Sequence, residues 1–261
     1  MKNYVWANKQ KNIEKAKEHI NKIDNQYANE VAETRSYIYG PNREYNTMFI
    51  KNSKMQIQIV NTDSVNAIFN FSEGKTAVLN FASYRHAGGM FIEGSQAQEE
   101  CLCHASTLYN VLRQYQSYYN WNEQHKNKSL YLNRAIYSEN ILFFKNLTQP
   151  LQADVITCAC PNKKAAKKYA KVSNEENSKV LDERIHFLLD IAAEHKVDTL
   201  ILGAFGCGVF GQDPYEVAMI FKKYLDHKYK CFKKVIFAIP QGLYDFNNLA
   251  FTKIFNNEGE K

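Results

Sequence analysis

Apolar positions along the chain repeat with two periods, and the switches between them mark out the elements. Trp6, Ile13, Ile20, Ile23, Tyr27 and Val31 recur at helical spacing with no Gly or Pro between residues 6 and 35, which predicts a long N-terminal helix packed on the core. Gly40-Pro41-Asn42 marks a turn. Met55 to Val60 alternates as a strand does, Ser64 to Phe71 reads as a short helix, and Thr76 to Phe81 as an apolar strand. A helix is expected from Gln98 to about Ser117. Residues 118–140 are aromatic and polar with little periodicity and read as a surface excursion. Ile141 to Phe144 and Asp154 to Cys160 read as strands, and 163–179 as loop or exposed helix. Val180 to Ala193 is amphipathic, with Leu181, Ile185, Leu188, Leu189 and Ala192 on one side. Thr199 to Gly203 is a buried strand. Asp213-Pro214 opens a helix to about Leu225, with Asp as N-cap and Pro at its first position. Val235 to Ile239 is the last strand, ended by Pro240-Gln241-Gly242, and the polar tail from Asn256 is expected to fray.

Strands alternating with helices, without internal repeat, imply an α/β fold: a three-layer α/β/α domain with a mixed, mainly parallel sheet. Residues 1–35 form an N-terminal helical extension packed on it, and 36–261 the main domain. Two strands run into glycine loops, one holding Gly88, Gly89 and Gly94, the other Gly203, Gly206, Gly208 and Gly211. If those strand ends are neighbours, both loops line one cleft.

Composition narrows the class. Hydrophobic residues make up 45% of 261, enough for a full core, and the chain shows neither a membrane-spanning apolar run nor an N-terminal apolar signal core. An intracellular, cytoplasmic protein without membrane contact is expected. Six cysteines in a chain of this length are no disulfide framework and read as reduced thiols. The net charge of +6 leans towards acidic partners. Lys163, Lys164, Lys167, Lys168 and Lys171 cluster, as a solvated face or as a contact for nucleic acid.

The second glycine loop has four glycines in nine residues between a buried strand and a helix start, a density that suits wrapping a diphosphate. It lacks the Lys-Ser/Thr of a P-loop and does not fit the dinucleotide fingerprint. Glu99 and Glu100 stand together at the mouth of a helix. They are either a solvated pair favoured by the helix dipole, or a cleft pair whose mutual repulsion keeps one carboxyl protonated, as a general acid for glycosidic cleavage requires. Asp63, at the C-terminal end of a strand, is either an N-cap or a ligand contact. Cys101-x-Cys103-His104 with Cys158-x-Cys160 could be set out as a metal set, but zinc pairs prefer wider spacing and structural thiols are the reading adopted. No metal and no cofactor is expected.

These stretches resemble the microbial type of poly(ADP-ribose) glycohydrolase, built on a macrodomain fold. The family's glycine triplet followed by Gln-Glu-Glu stands here as Ala87-Gly88-Gly89-Met90 and Gln98-Glu99-Glu100, with Ser106-Thr107-Leu108-Tyr109 behind. Asn80 in VLNFAS matches the family's LNFAN, and LGAFGCGVFGQDP resembles its second glycine loop. The likeness runs from about residue 27 to 246. It implies a hydrolase that cleaves the ribose–ribose bond of poly(ADP-ribose), mainly from chain ends, with ADP-ribose as product. Glu100 would be the catalytic acid and then the base for water. Glu99 would hold the ribose hydroxyls and Asn80 the distal ribose, with Gln98 beside them. Gly88 and Gly89, with Gly206, Cys207, Gly208, Val209, Phe210 and Gly211, would hold the diphosphate. Asp63 would read the adenine amine, and Phe237 would stack near the base.

Met90 departs from the pattern, standing where the family has a third glycine. Its side chain could narrow the cleft, alter the loop or shield the site. That keeps two alternatives open: an ADP-ribose-binding module with weak or no hydrolysis, and a hydrolase acting on ADP-ribose carried by a protein, a nucleic acid or a small molecule. A monomer is expected.

Overall fold

The computed structural model describes residues 2–44, 55–145, 149–242 and 246–256. The long N-terminal repeat folds as two helices, α1 (Lys2–Gln26) and α2 (Ala28–Glu33), separated by a bend at Tyr27. Ala16 and Ile23 of α1 are buried, whereas the Trp6 side chain lies outside what the structure describes. Strand β1 (Ser36–Tyr39) follows, then β2 (Gln56–Val60), α3 (Ser64–Phe71) and β3 (Thr76–Phe81).

The helix expected from Gln98 to Ser117 is interrupted. It comprises α4 (Gln98–His104) and α5 (Leu108–Leu112). Between them the backbone leaves the helical ladder to bond a strand: Thr107 N–H donates to Leu142 O at 3.0 Å and Phe144 N–H to Ala105 O at 2.7 Å. The Ser106 hydroxyl meanwhile bonds back to Leu102 O at 2.6 Å. The stretch read as a surface excursion is α6 (Gln116–Gln124) followed by the start of β4 (Ala135–Phe143), and Tyr118, Tyr119, Asn122 and Leu130 within it are buried. The expected strand at 141–144 is the second half of β4, offset by a bulge between Ser138 and Ile141.

The rest comprises β5 (Leu151–Cys158), α7 (Lys163–Ala170), α8 (Asn174–Glu194), β6 (Thr199–Leu202), α9 (Pro214–His227), β7 (Lys234–Ala238) and α10 (Asn247–Asn256). The tail beyond 256 lies outside the described residues.

Seven strands form one sheet in the order β1-β4-β5-β3-β6-β7-β2. From β5 to β2 every pairing is parallel, and β4 runs antiparallel to both β5 and β1. Strand alternation splits the core in two. Leu79, Ile156, Leu202 and Phe237 face α8, α9 and α10. Val78, Val155, Ile201 and Ile236 face α1, α3, α4 and α5. These are the three expected layers. Among the described residues, no helix is long and apolar enough to cross a membrane.

Candidate active site

The site forms where the parallel strands end. Alternation turns Asn80, the penultimate residue of β3, towards the α4 layer, where it lies beside Thr157 of β5. Beyond β3 the chain loops through Gly88 to Met90 and a single helical turn, Phe91–Glu93, before α4 begins. Gln98 fixes that start. Its Oε1 accepts the Phe81 N–H at 2.8 Å, and its Nε2 donates to Leu79 O at 2.8 Å and Ser64 Oγ at 3.0 Å. With its oxygen and both amide protons engaged by the protein, Gln98 is a positioning residue.

Clamped this way, α4 carries Glu99 and Glu100 inward. They are only 3% and 5% exposed, so the reading of a solvated pair is excluded. Glu99 Oε2 accepts the Ser83 N–H at 2.6 Å, Oε1 accepts Asn80 Nδ2 at 3.2 Å, and the Gly88 backbone also bonds to this carboxylate. Despite these donors, burial, with the Glu100 charge adding, pushes the Glu99 carboxyl up to about 8. Glu100 is held differently. Its Oε1 accepts the Met90 N–H at 2.9 Å, while its buried Oε2 has no partner among the described residues. Asn80 Oδ1 is likewise buried and unpartnered. Buried acceptor atoms left open in this way are unusual in a folded interior and suit an external donor.

Gly89 packs against both carboxylates. Its φ is +63°, and a Cβ there would come within 2.5 Å of Glu100 Oε1 and 2.8 Å of Glu99 Oε2. Met90 needs no glycine: its φ is −108°, its backbone N–H serves Glu100, and its side chain is 48% exposed. Met90 thus sits in the loop without a left-handed backbone.

Because β3 and β6 are adjacent and parallel, both glycine loops open on the same edge of the sheet. The Phe81 and Phe205 rings, one from each strand end, meet at 5.6 Å. In the second loop, Gly211 N–H turns back to Gly208 O and Gln212 N–H to Gly206 O. The N–H groups of Gly208, Val209 and Phe210 donate to no acceptor among the described residues, which leaves a run of donors for an anion. Cys207 is half-buried within this loop.

Asp63 caps α3, accepting the Asn66 N–H at 2.8 Å and Asn66 Nδ2 at 2.6 Å, and remains exposed at the end of β2. Phe237 is a correction. It is 0% exposed and enclosed by Phe221, Phe251 and Phe255 on the opposite side of the sheet, so neither of its faces is open to a base.

Sequence reading missed the residues that hold the loops. Gln212 and Asn177 exchange side-chain amide bonds at 2.9 and 3.0 Å, and Gln212 Nε2 also bonds Pro161 O at 2.8 Å, tying the second loop to α8. Arg184, buried on α8, bonds the Ala159 and Leu130 carbonyls and Asn133. A polar residue at an inward helical position was the signal available for Asn177 and Arg184.

Comparison with known proteins places this geometry. The family profile described as "Microbial-type PARG, catalytic domain" matches residues 2–146. Among solved structures, poly(ADP-ribose) glycohydrolase from Thermomonospora curvata superposes with a TM-score of 0.84 at 27% identity, covering 94% of this chain and 100% of its own. The same enzyme bound to the inhibitor ADP-HPD gives 0.80 at 26% identity, covering 94% and 99%. The Deinococcus radiodurans enzyme in complex with ADP-ribose gives 0.78 at 28% identity, covering 88% and 96%. No curated protein matches the sequence.

Proposed function

The chain belongs to the microbial-type poly(ADP-ribose) glycohydrolase family and is a hydrolase of that class with a macrodomain-like fold; from that premise we propose how its cleft cleaves the ribose–ribose bond, mainly at chain ends. The terminal ADP-ribose unit lies with its diphosphate against Gly88, Gly89 and the donors of residues 206–211. Its adenine amine lies towards Asp63, and its distal ribose against Asn80 Oδ1. Glu99, fixed by three donors, hydrogen-bonds the ribose hydroxyls. Glu100 uses its free Oε2. It gives a proton to the ribose oxygen of the departing chain as the glycosidic bond breaks, and the sugar passes through an oxocarbenium-like state. Glu100 then accepts a proton from the water that adds to the anomeric carbon.

The observation that carries this reading is the unequal state of the two carboxylates: both oxygens of Glu99 are engaged, whereas Glu100 keeps one buried oxygen unpartnered. The alternative motivated by Met90, a module that binds ADP-ribose with weak or no hydrolysis, is not favoured by the family match and the structural neighbours. The test is release of ADP-ribose from automodified, polymer-bearing protein. Glu100→Gln is expected to lower turnover by about 10²–10⁴-fold, the range for a positioned general acid, while still binding ADP-ribose. Full turnover by this variant would overturn the assignment. Oligomers appearing as early products, rather than the monomer, would overturn the preference for chain ends.

A further inference from the structure

The basic cluster of α7 is not used by the cleft itself. Lys164, Lys167 and Lys168 stand at i, i+3 and i+4 and so share one side of the helix, and Lys171 follows as its left-handed C-cap. All four are exposed and form no salt bridge among the described residues. Lys163 pairs with Glu216 at 3.6 Å, and Lys167 donates to Asn174 Oδ1 at 3.0 Å within the influence of Glu175. Like charges at this spacing weaken a helix, and lysines in its first turn oppose its dipole. The helix keeps them nonetheless. Tyr169, 74% exposed, lies round the helix from that side, with the Nζ of its neighbour Lys168 4.9 Å from its ring centre.

The stripe begins at the cleft. Lys164 N–H donates to Phe210 O at 3.0 Å, and the Gly211 backbone lies against the Lys164 side chain. From there α7 continues for about 12 Å at the usual rise per residue. Asp63 follows β2 at one edge, the glutamates follow β3, and α7 follows β5 beyond them.

We propose that the lysines of α7 from Lys164 to Lys171 dock the part of the poly(ADP-ribose) chain that continues past the scissile bond. This rests on the reading of the cleft above, in which the terminal adenosine points towards Asp63 and the remaining polymer leaves past the glutamates. That polymer carries regularly spaced phosphates and flat bases. A row of cations matches the phosphates, and the exposed ring of Tyr169, next to Lys168 at the border of that row, can meet a base.

The experiment uses the full chain with Lys167→Gln, Lys168→Gln and Lys171→Asn combined. Binding of long poly(ADP-ribose) is measured in the turnover-impaired Glu100→Gln background, and KM and kcat in the otherwise native enzyme. The expected result is a fivefold or larger rise in both polymer Kd and KM for long chains, with kcat and the KM for an ADP-ribose dimer moving less than twofold. The slope of log Kd against log salt is expected to fall by about 2 for three lost phosphate contacts. Unchanged polymer Kd and KM overturn the proposal. So does a variant that loses affinity for single-stranded RNA or DNA but not for poly(ADP-ribose), since the face would then serve nucleic acid. If the native enzyme binds polymer through this face but releases no ADP-ribose, the glycohydrolase mechanism fails while the docking surface stands.

Discussion

Glu99 gives the site a pH dependence that can be signed. Its carboxyl ordinarily titrates at 4.5 and is pushed up to about 8 by burial. Between those values the folded chain keeps a proton that the unfolded chain has released, so stability falls as pH rises through that window and levels off above about 8. At about 1.4 kcal/mol per unit, the upper limit is on the order of 5 kcal/mol. Urea midpoints measured from pH 4.5 to 8 should decline for the native enzyme, and the decline should be absent in Glu99→Gln. The neighbouring loop gives a contrast at the same scale. Gly89→Ala forces a Cβ onto both carboxylates at a positive φ, costs about 1–2 kcal/mol in backbone strain alone, and should reduce kcat at least 100-fold. Met90→Gly leaves the N–H to Glu100 in place and should change kcat/KM less than threefold.

Between elements, α1 acts as a strut for the loop that carries the site. Asn12 Nδ2 donates to Gly94 O at 3.2 Å, Gln96 Nε2 donates to Asn12 Oδ1 at 3.3 Å, and a Cβ on Gly94 would lie 2.6 Å from Lys9 O. Asn12→Ala removes both bonds, for a loss of about 1–2 kcal/mol. Hydrogen exchange should quicken between Gly88 and Gly94 in this variant, and equal protection of that segment in both proteins would show that α1 does not brace it. The sequence disclosed α1 only as an amphipathic helix, because periodicity shows which face is buried and not what covers it. Its other elements were legible in proportion to their periodicity. Strands β3, β5, β6 and β7, buried on both faces, were plain as apolar runs, and α9 was plain from its Asp-Pro start. Where a tertiary contact overrode local spacing, the reading failed. Ser106 and Thr107 leave the helix to bond β4, and the tyrosines of α6 are buried although their hydroxyls made the segment look wet. The short strand β1 and the C-terminal α10 carried no signal that was read.

Across the whole molecule, the site depends on strand order, which spacing does not encode. The two glycine loops are more than a hundred residues apart in sequence and meet because β3 and β6 pair directly. The motif resemblance supplied that meeting, and it also led to the placement of Phe237 near the base. Alternation along β7 decides its side: Val235 and Phe237 face α9 and α10, Ile236 and Ala238 the other layer. Phe237 therefore closes the back of the sheet, in a cluster with Phe221 of α9 and Phe251 and Phe255 of α10. The two possible roles separate cleanly in Phe237→Ala. As a base-stacking residue, its loss would weaken ADP-ribose binding and leave the fold intact. As a core residue, its truncation leaves a cavity between sheet and helices and should cost about 3–5 kcal/mol. We expect the second outcome: a lowered urea midpoint, an ADP-ribose Kd within twofold of the native value when measured well below that midpoint, and a matching destabilisation in Phe251→Ala, which removes the same contact from the α10 side.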